Sequence, residues 1–131
     1  ASELAQVETD RWRDPELILL HGDSKDVKVG YLRDEPIDGR PHAVVALSLA
    51  NGKRPTLLYI DKQSKHISVM QYADGGVVTV DEFADYKPVN GIMVAHRRRS
   101  ATGPRVTEYT LTRVEFNQTV DPSLFVRPTT P

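Results

Sequence analysis

Turn signals punctuate this chain at the spacing of short antiparallel strands, and that rhythm restricts the fold more than any other feature. From residue 36 onward they are Asp38-Gly39, Asn51-Gly52, Asp61 to Lys65, Asp74-Gly75-Gly76, Asn90-Gly91 and Ser100 to Pro104. Asn-Gly and Asp-Gly tolerate positive φ and close tight hairpins. Links this short cannot carry the crossover that a parallel pair needs. Strands are expected at 27–35, 42–50, 55–61, 66–73, 77–84, 91–99 and 105–116, joined as an up-and-down meander. The stretch FADYKPVNGIMVAHRRR, from Phe83 to Arg99, then reads as a hairpin folded at Asn90-Gly91.

Only residues 2–21 look helical. Ser2 can cap a turn carrying Leu4 and Val7. Asp14-Pro15-Glu16 combines an N-cap, a proline at the first helical position and an acid in the first turn. Leu17 to Leu20 follow, and Gly22 is placed to stop the helix. Such short helices persist only when docked on something else. Trp12 is expected to dock them on the sheet. In the segment 117–131, Asp121-Pro122-Ser123-Leu124-Phe125 reads as a capped turn whose Leu and Phe dock on the body, followed by a loose end at 128–131.

The strands are apolar on both faces. Period two sets Val45, Leu47 and Leu49 against Val44 and Ala46, Leu58 and Ile60 against Leu57 and Tyr59, and Val78 and Val80 against Val77 and Phe83. It also sets Ile67 and Val69 against Met70 and Tyr72. A sheet with one wet face alternates more cleanly. Two short helices cover only part of one face. The sheet must curl into a half-barrel, or a second layer, a partner or a ligand must cover the rest. The expected fold is thus mainly β (α+β), a curved antiparallel meander of about seven strands with short N-terminal helices packed on it. At 131 residues it forms a single domain: helical 2–21, sheet 27–116, turn and tail 117–131.

Composition narrows the function classes. Seventeen Lys and Arg against 18 Asp and Glu give a net charge of -1, which argues against a nucleic-acid partner. No cysteine is present, so thiolate catalysis and cysteine-ligated metal are excluded. No apolar run approaches the roughly 20 residues of a spanning helix. The start, Ala1-Ser2-Glu3-Leu4, lacks Met and is read as a processed or trimmed terminus. His21, His42, His66 and His96 show no metalloprotease spacing and read as surface or boundary residues. Ser48, Ser68 and Ser100 lack a nucleophile elbow and a visible partner. Neighbouring carboxylates such as Asp81/Glu82 point to opposite faces of a strand. The run Arg97-Arg98-Arg99 alternates likewise and forms no flat patch. No enzyme, metal or cofactor is implied.

Three stretches carry a resemblance. They are LLYIDKQSKHISVMQY, FADYKPVNGIMVAHRRR and VTEYTLTRVEFNQTVDPSLFVRP. Ile60-Asp61 with Ser64, then Phe83, Asp85, Tyr86, Val89 and Gly91, then Val114, Phe116, Asn117, Asp121, Ser123, Leu124 and Phe125 follow the pattern of LolA-like domains, named for the periplasmic outer-membrane lipoprotein carrier. The resemblance covers about 55–128, and related stretches are similar to C-terminal segments of bacterial proteins with insulinase-type peptidase domains. Ala95 stands where many relatives have Pro, and the chain is short for a complete carrier. The resemblance implies a curved sheet partly closed by helices around an apolar cavity for acyl chains. It implies a non-catalytic domain of the periplasm or cell envelope that binds a lipid, lipoprotein acyl chain or other hydrophobic ligand. The expected lining is Leu47, Leu49, Leu58, Ile60, Val69, Phe83 and Tyr109. The alternative is a protein–protein interaction or accessory domain of a longer peptidase-like chain, its apolar face meeting another domain.

Overall fold

The computed structural model describes residues 3–50 and 53–126. Two helices, α1 (Glu3–Arg11) and α2 (Pro15–His21), precede seven strands. These are β1 (Val27–Ile37), β2 (Arg40–Leu49), β3 (Thr56–Asp61), β4 (Ile67–Asp74), β5 (Val77–Val89), β6 (Ile92–Thr102) and β7 (Arg105–Thr110), with a 3-10 turn at Pro122–Phe125. The strands form one open antiparallel sheet in chain order, β1 to β7. This is the expected meander, curved and unclosed. Ser2, Asn51-Gly52 and 128–131 lie outside the described residues.

The turns follow their residues. Asp38-Gly39, Gly75-Gly76 and Asn90-Gly91 all take positive φ at both positions, as two-residue primed turns require. The hairpin read from Phe83 to Arg99 is the β5–β6 pair, with Val89 opposite Ile92. Asp14 caps α2: its Oδ1 accepts from the Glu16 and Leu17 amides at 2.9 and 3.2 Å. Asp14→Ala leaves those donors without the cap and should lower stability by about 1 kcal/mol in urea unfolding. Gly22 ends α2 in a right-handed conformation (φ -64). Space requires glycine here, because a Cβ would sit 2.9 Å from the Ile18 carbonyl oxygen.

Two expectations need correction. The last strand stops at Thr110, not at 116. As an edge strand, β7 has only β6 to pair with. The Leu111 amide donates to the His96 carbonyl at 2.7 Å, and there the β6 ladder itself is interrupted. The 3-10 turn does form, with Asp121 accepting from the Ser123 amide at 2.9 Å. Leu124 and Phe125, however, are 74% and 79% exposed and do not dock. The cap makes the turn locally self-sufficient, so it forms without packing.

Three irregularities decide which face each side chain takes. Leu32 is an extra residue between Tyr31, opposite Val45, and Arg33, opposite Val44. Ser68 is extra in β4: Tyr59 faces Val69, but Ile60 faces Ile67. Simple alternation placed Ile67 with Val69; the shift places it with Met70 instead. In β5, Asp85 takes positive φ (54°), and its pair with His96 drops out of the ladder. Alternation flips there, so Phe83 and Tyr86 both pack on the same core.

That core lies between the sheet and the helices. Ile18 of α2 joins Val27, Leu47, Leu58, Ile67, Met70, Phe83 and Ala95, and Trp12 packs against them as expected. Val44, Tyr59 and Val94 are also buried but lie outside this cluster, on the face away from the helices. Both faces of the sheet therefore bury apolar residues.

Candidate functional site

Two polar clamps hold the helices over the sheet. Arg13, in the α1–α2 link, makes a forked pair with Asp74 at 2.6 and 2.8 Å and lies 4.1 Å over the Tyr72 ring. Forked guanidinium–carboxylate pairs are geometrically selective. Arg13 holds the Asp74 carboxyl below its usual range, mainly through these hydrogen bonds. Glu16 of α2 pairs with Arg98 of β6, and both side chains are largely buried. Burial pushes Glu16 upward, the Asp14 carboxylate adds to this, and Arg98 opposes it. Arg98 also lies 5.5 Å over the Phe83 ring. Burial raises Tyr72 and Tyr86 to about 12.

Of the seven expected lining residues, Leu47, Leu58 and Phe83 sit in the core cluster, and Leu49 and Ile60 pack against it. The structure thus gathers five in the layer beneath α2 and Trp12. Tyr109 shares that side of the sheet, opposite Arg98 on the edge strand, and is half-exposed. Val69 is not with them. The Ser68 bulge leaves it on the other face, opposite Tyr59 and Glu82.

A groove of about 780 Å³ runs from the β1–β2 turn to β7, lined largely by residues of that other face and also by Phe83, Arg98 and Tyr109. The cross-strand register sets its pattern. A row runs Val44, Tyr59, Val69, Glu82, Arg99 and Glu108. Its second half is a charged triplet, with Arg99 on Glu82 at 2.7 Å and on Glu108 at 3.3 Å. Arg97 lies beside it, level with Ala84 and Thr110. Arg97 and Arg99 thus face away from Arg98, as alternation implies.

Sequence reasoning missed the polar group at one end of this groove. His42 and His96 are buried rather than at a boundary. His42 Nδ1 is 2.8 Å from the Arg40 carbonyl, and Nε2 is 2.9 Å from Ser68 Oγ. With Nδ1 donating to the carbonyl, Nε2 accepts from the hydroxyl. Ser68 therefore has a partner, supplied from a strand two places away. Asp61, opposite His42, accepts from the Gln63 and Ser64 amides at 2.8 and 3.1 Å and pairs with Arg40 at 2.7 Å. The Ser64 amide bond, with Gln63, Arg40 and His42 adding, holds Asp61 below its usual range. Its bonds tie down the β3–β4 turn, which explains the Ile60-Asp61 with Ser64 pattern as a structural one. Among the described residues, no group of three His, Asp or Glu is placed to hold a metal ion. No helix among them is long and apolar enough to cross a membrane.

An open antiparallel meander with a short helix pair laid over one apolar face defines the structural class. No family model matches the chain, and no curated protein matches it. Two solved structures are similar. One is a domain assigned to outer membrane lipoprotein sorting from Vibrio parahaemolyticus, with TM-score 0.60 and 18% identity over 75% of this chain and 45% of that one. The other is a LolA superfamily protein from Nitrosomonas europaea, with TM-score 0.53 and 14% identity over 79% of this chain and 50% of that one. The chain has a LolA-like fold. It spans about half the length of the solved structures it matches.

Proposed function

We propose that this chain is a non-catalytic domain of the bacterial envelope, acting in the periplasm, that binds a lipid, a lipoprotein acyl chain or another hydrophobic ligand. The ligand enters the layer between the helix pair and the sheet. Leu47, Leu49, Leu58, Ile60 and Phe83 contact it there, and Tyr109 contacts it at the open edge; Val69, expected in the same lining, is on the opposite face of the sheet and does not reach this layer. The observation that carries this reading is the apolar layer beneath α2, whose cover is two short helices clamped chiefly by Arg13–Asp74 and Glu16–Arg98. Lifting a small clamped cover exposes apolar surface that an acyl chain can replace, at about 25 cal/mol per Å² of area removed from water. The likeness to a lipoprotein-sorting domain supports the same ligand class.

The test is uptake of a fluorescent long-chain fatty acid by the monomer. Saturable uptake is expected. Its loss should accompany Leu58→Asp, while Lys28→Asp on the exposed edge strand leaves it unchanged. Absence of uptake by the folded monomer rejects the carrier reading.

A second reading has its own support. Leu19 and Leu20 on α2, and Leu124, Phe125 and Val126 in the 3-10 region, are all more than half exposed. Exposed apolar groups of this size suit a protein–protein contact. An accessory domain would bury them against a neighbour and take up no fatty acid.

A further inference from the structure

The bulge that leaves Val69 on the face away from the helices also sets Ser68 apart. Ser68 is the extra residue of β4, between Val69 opposite Tyr59 and Ile67 opposite Ile60. Bulges re-aim side chains, and this one brings the Ser68 hydroxyl to a residue of β2, two strands away. There Oγ lies 2.9 Å from His42 Nε2. The Arg40 carbonyl, 2.8 Å from Nδ1, can only accept, so it fixes the proton on Nδ1 and leaves the Nε2 lone pair to the hydroxyl. His42 is 2% exposed, so close packing holds the ring in place. A hydroxyl, a base within hydrogen-bond reach and a third group that orients the base are the parts of an activated nucleophile.

The surroundings supply a cation. Ser68 is partly exposed and lines the groove together with Ala84 and Arg97. From β4 to β6 is two inter-strand steps of about 4.8 Å, with Ala84 on the strand between. Arg98 and Arg99 are paired with carboxylates, whereas Arg97 is exposed and pairs with none among the described residues. A planar, permanent cation thus stands across one small residue from the hydroxyl. Much of the remaining lining is charged, including Asp61, Glu82 and Glu108, which suits a short acyl group and not a long chain.

We infer that Ser68 is a site of covalent acylation, which accepts a short acyl group such as acetyl from an activated ester or thioester. Ser68 Oγ bonds to the acyl carbon as its proton passes to His42 Nε2. The carbonyl electron pair moves onto oxygen, and Arg97 offers charge-assisted hydrogen bonds to that oxyanion. As the carbonyl re-forms, the bond to the leaving oxygen or sulfur breaks, and His42 returns the proton to it. The products are the Ser68 ester and a free alcohol, phenol or thiol. The step is stoichiometric, so the domain stays non-catalytic, and it rests on neither reading of the helix-covered layer.

The experiment is treatment of the full chain with p-nitrophenyl acetate, with the acetylated residues located by peptide mass spectrometry. Ser48 on β2 and Ser100 on β6 are internal comparisons. Ser68 should take up one acetyl group at least about a hundredfold faster than either, the scale of general-base assistance. His42→Gln should remove that advantage. Arg97→Ala, at an exposed position, should keep the fold by circular dichroism and slow Ser68 acetylation about tenfold or more. Ser68 left unmodified, or acetylated no faster than Ser48 and Ser100, would overturn the site. So would a folded His42→Gln or Arg97→Ala variant that reacts at the parent rate. Nitrophenol release that continues after Ser68 is fully acetylated, and stops in Ser68→Ala, would overturn the acceptor assignment in favour of turnover.

Discussion

Replacing Met70 with alanine should cost about 2–5 kcal/mol of folding stability, the range for truncating a fully buried methionine. Met70 is 0% exposed. It stands on β4, the central strand of seven, with Leu58 and Asp81 directly across from it. Its neighbours are backbone-anchored on three paired strands and cannot collapse freely into the space. Native domains are stable by only about 5–15 kcal/mol, so this one change removes a large share of the total. Urea unfolding checks it. A loss below about 0.5 kcal/mol would mean that the layer beneath α2 is not the packed core described above. Val77→Ala, half-exposed at the start of β5, is the matched control and should change little.

The second large effect concerns the Glu16–Arg98 clamp. Arg98→Ala leaves Glu16 in place with its counter-charge removed. Breaking a fully buried pair from one side costs about 3–5 kcal/mol, and an exposed pair about 0–1. Both side chains here are about one-seventh exposed, so a loss of about 2–4 kcal/mol at neutral pH is expected. The pH dependence has a definite sign. The folded-state pKa of Glu16 is raised, chiefly by burial, so the native state binds the proton more readily than the unfolded state. Stability from this group is then fully present below the unfolded value, near 4.5, and falls as pH rises through the folded value. Removing Arg98 raises Glu16 further and widens that window. The gap between Arg98→Ala and the parent should shrink as pH is lowered towards 4, about the ordinary carboxylate range. Adding Glu16→Gln to Arg98→Ala should recover part of the loss at neutral pH. A pH-independent loss would assign the effect to the guanidinium's packing over Phe83 instead of to charge.

Local chemistry made much of this fold readable. Asp38-Gly39 and Asn90-Gly91 announce primed turns because few residues accept positive φ twice in succession. Asp14-Pro15 marks a helix start because cap and proline both suit that place and few others. The two-sided apolar strands anticipated burial on both faces, seen at Met70 on one and Val44 on the other. What stayed hidden depends on contacts between strands. The Ser68 bulge and the flip at Asp85 change which face a residue takes, yet each is one residue in a run of otherwise ordinary β sequence. Asp tolerates positive φ, but most Asp residues do not adopt it. Val69 was therefore grouped with residues on the wrong side of its own bulge. The same bulge brings Ser68 to His42, which are 26 positions apart with a whole strand between them, so no spacing rule reaches that pair. Leu124 and Phe125 failed to dock because a cap can stabilise a turn with no partner beneath it.

Trp12 offers the most direct probe of the proposed ligand layer, being the sole tryptophan and packed against the core under the helices. A fatty acid brominated along its chain should quench Trp12 emission saturably at one equivalent, and a soluble brominated short acid should not. If the brominated chain binds without touching Trp12 emission, or does not bind the folded monomer at all, the helix-covered layer is a closed core and the carrier account is wrong.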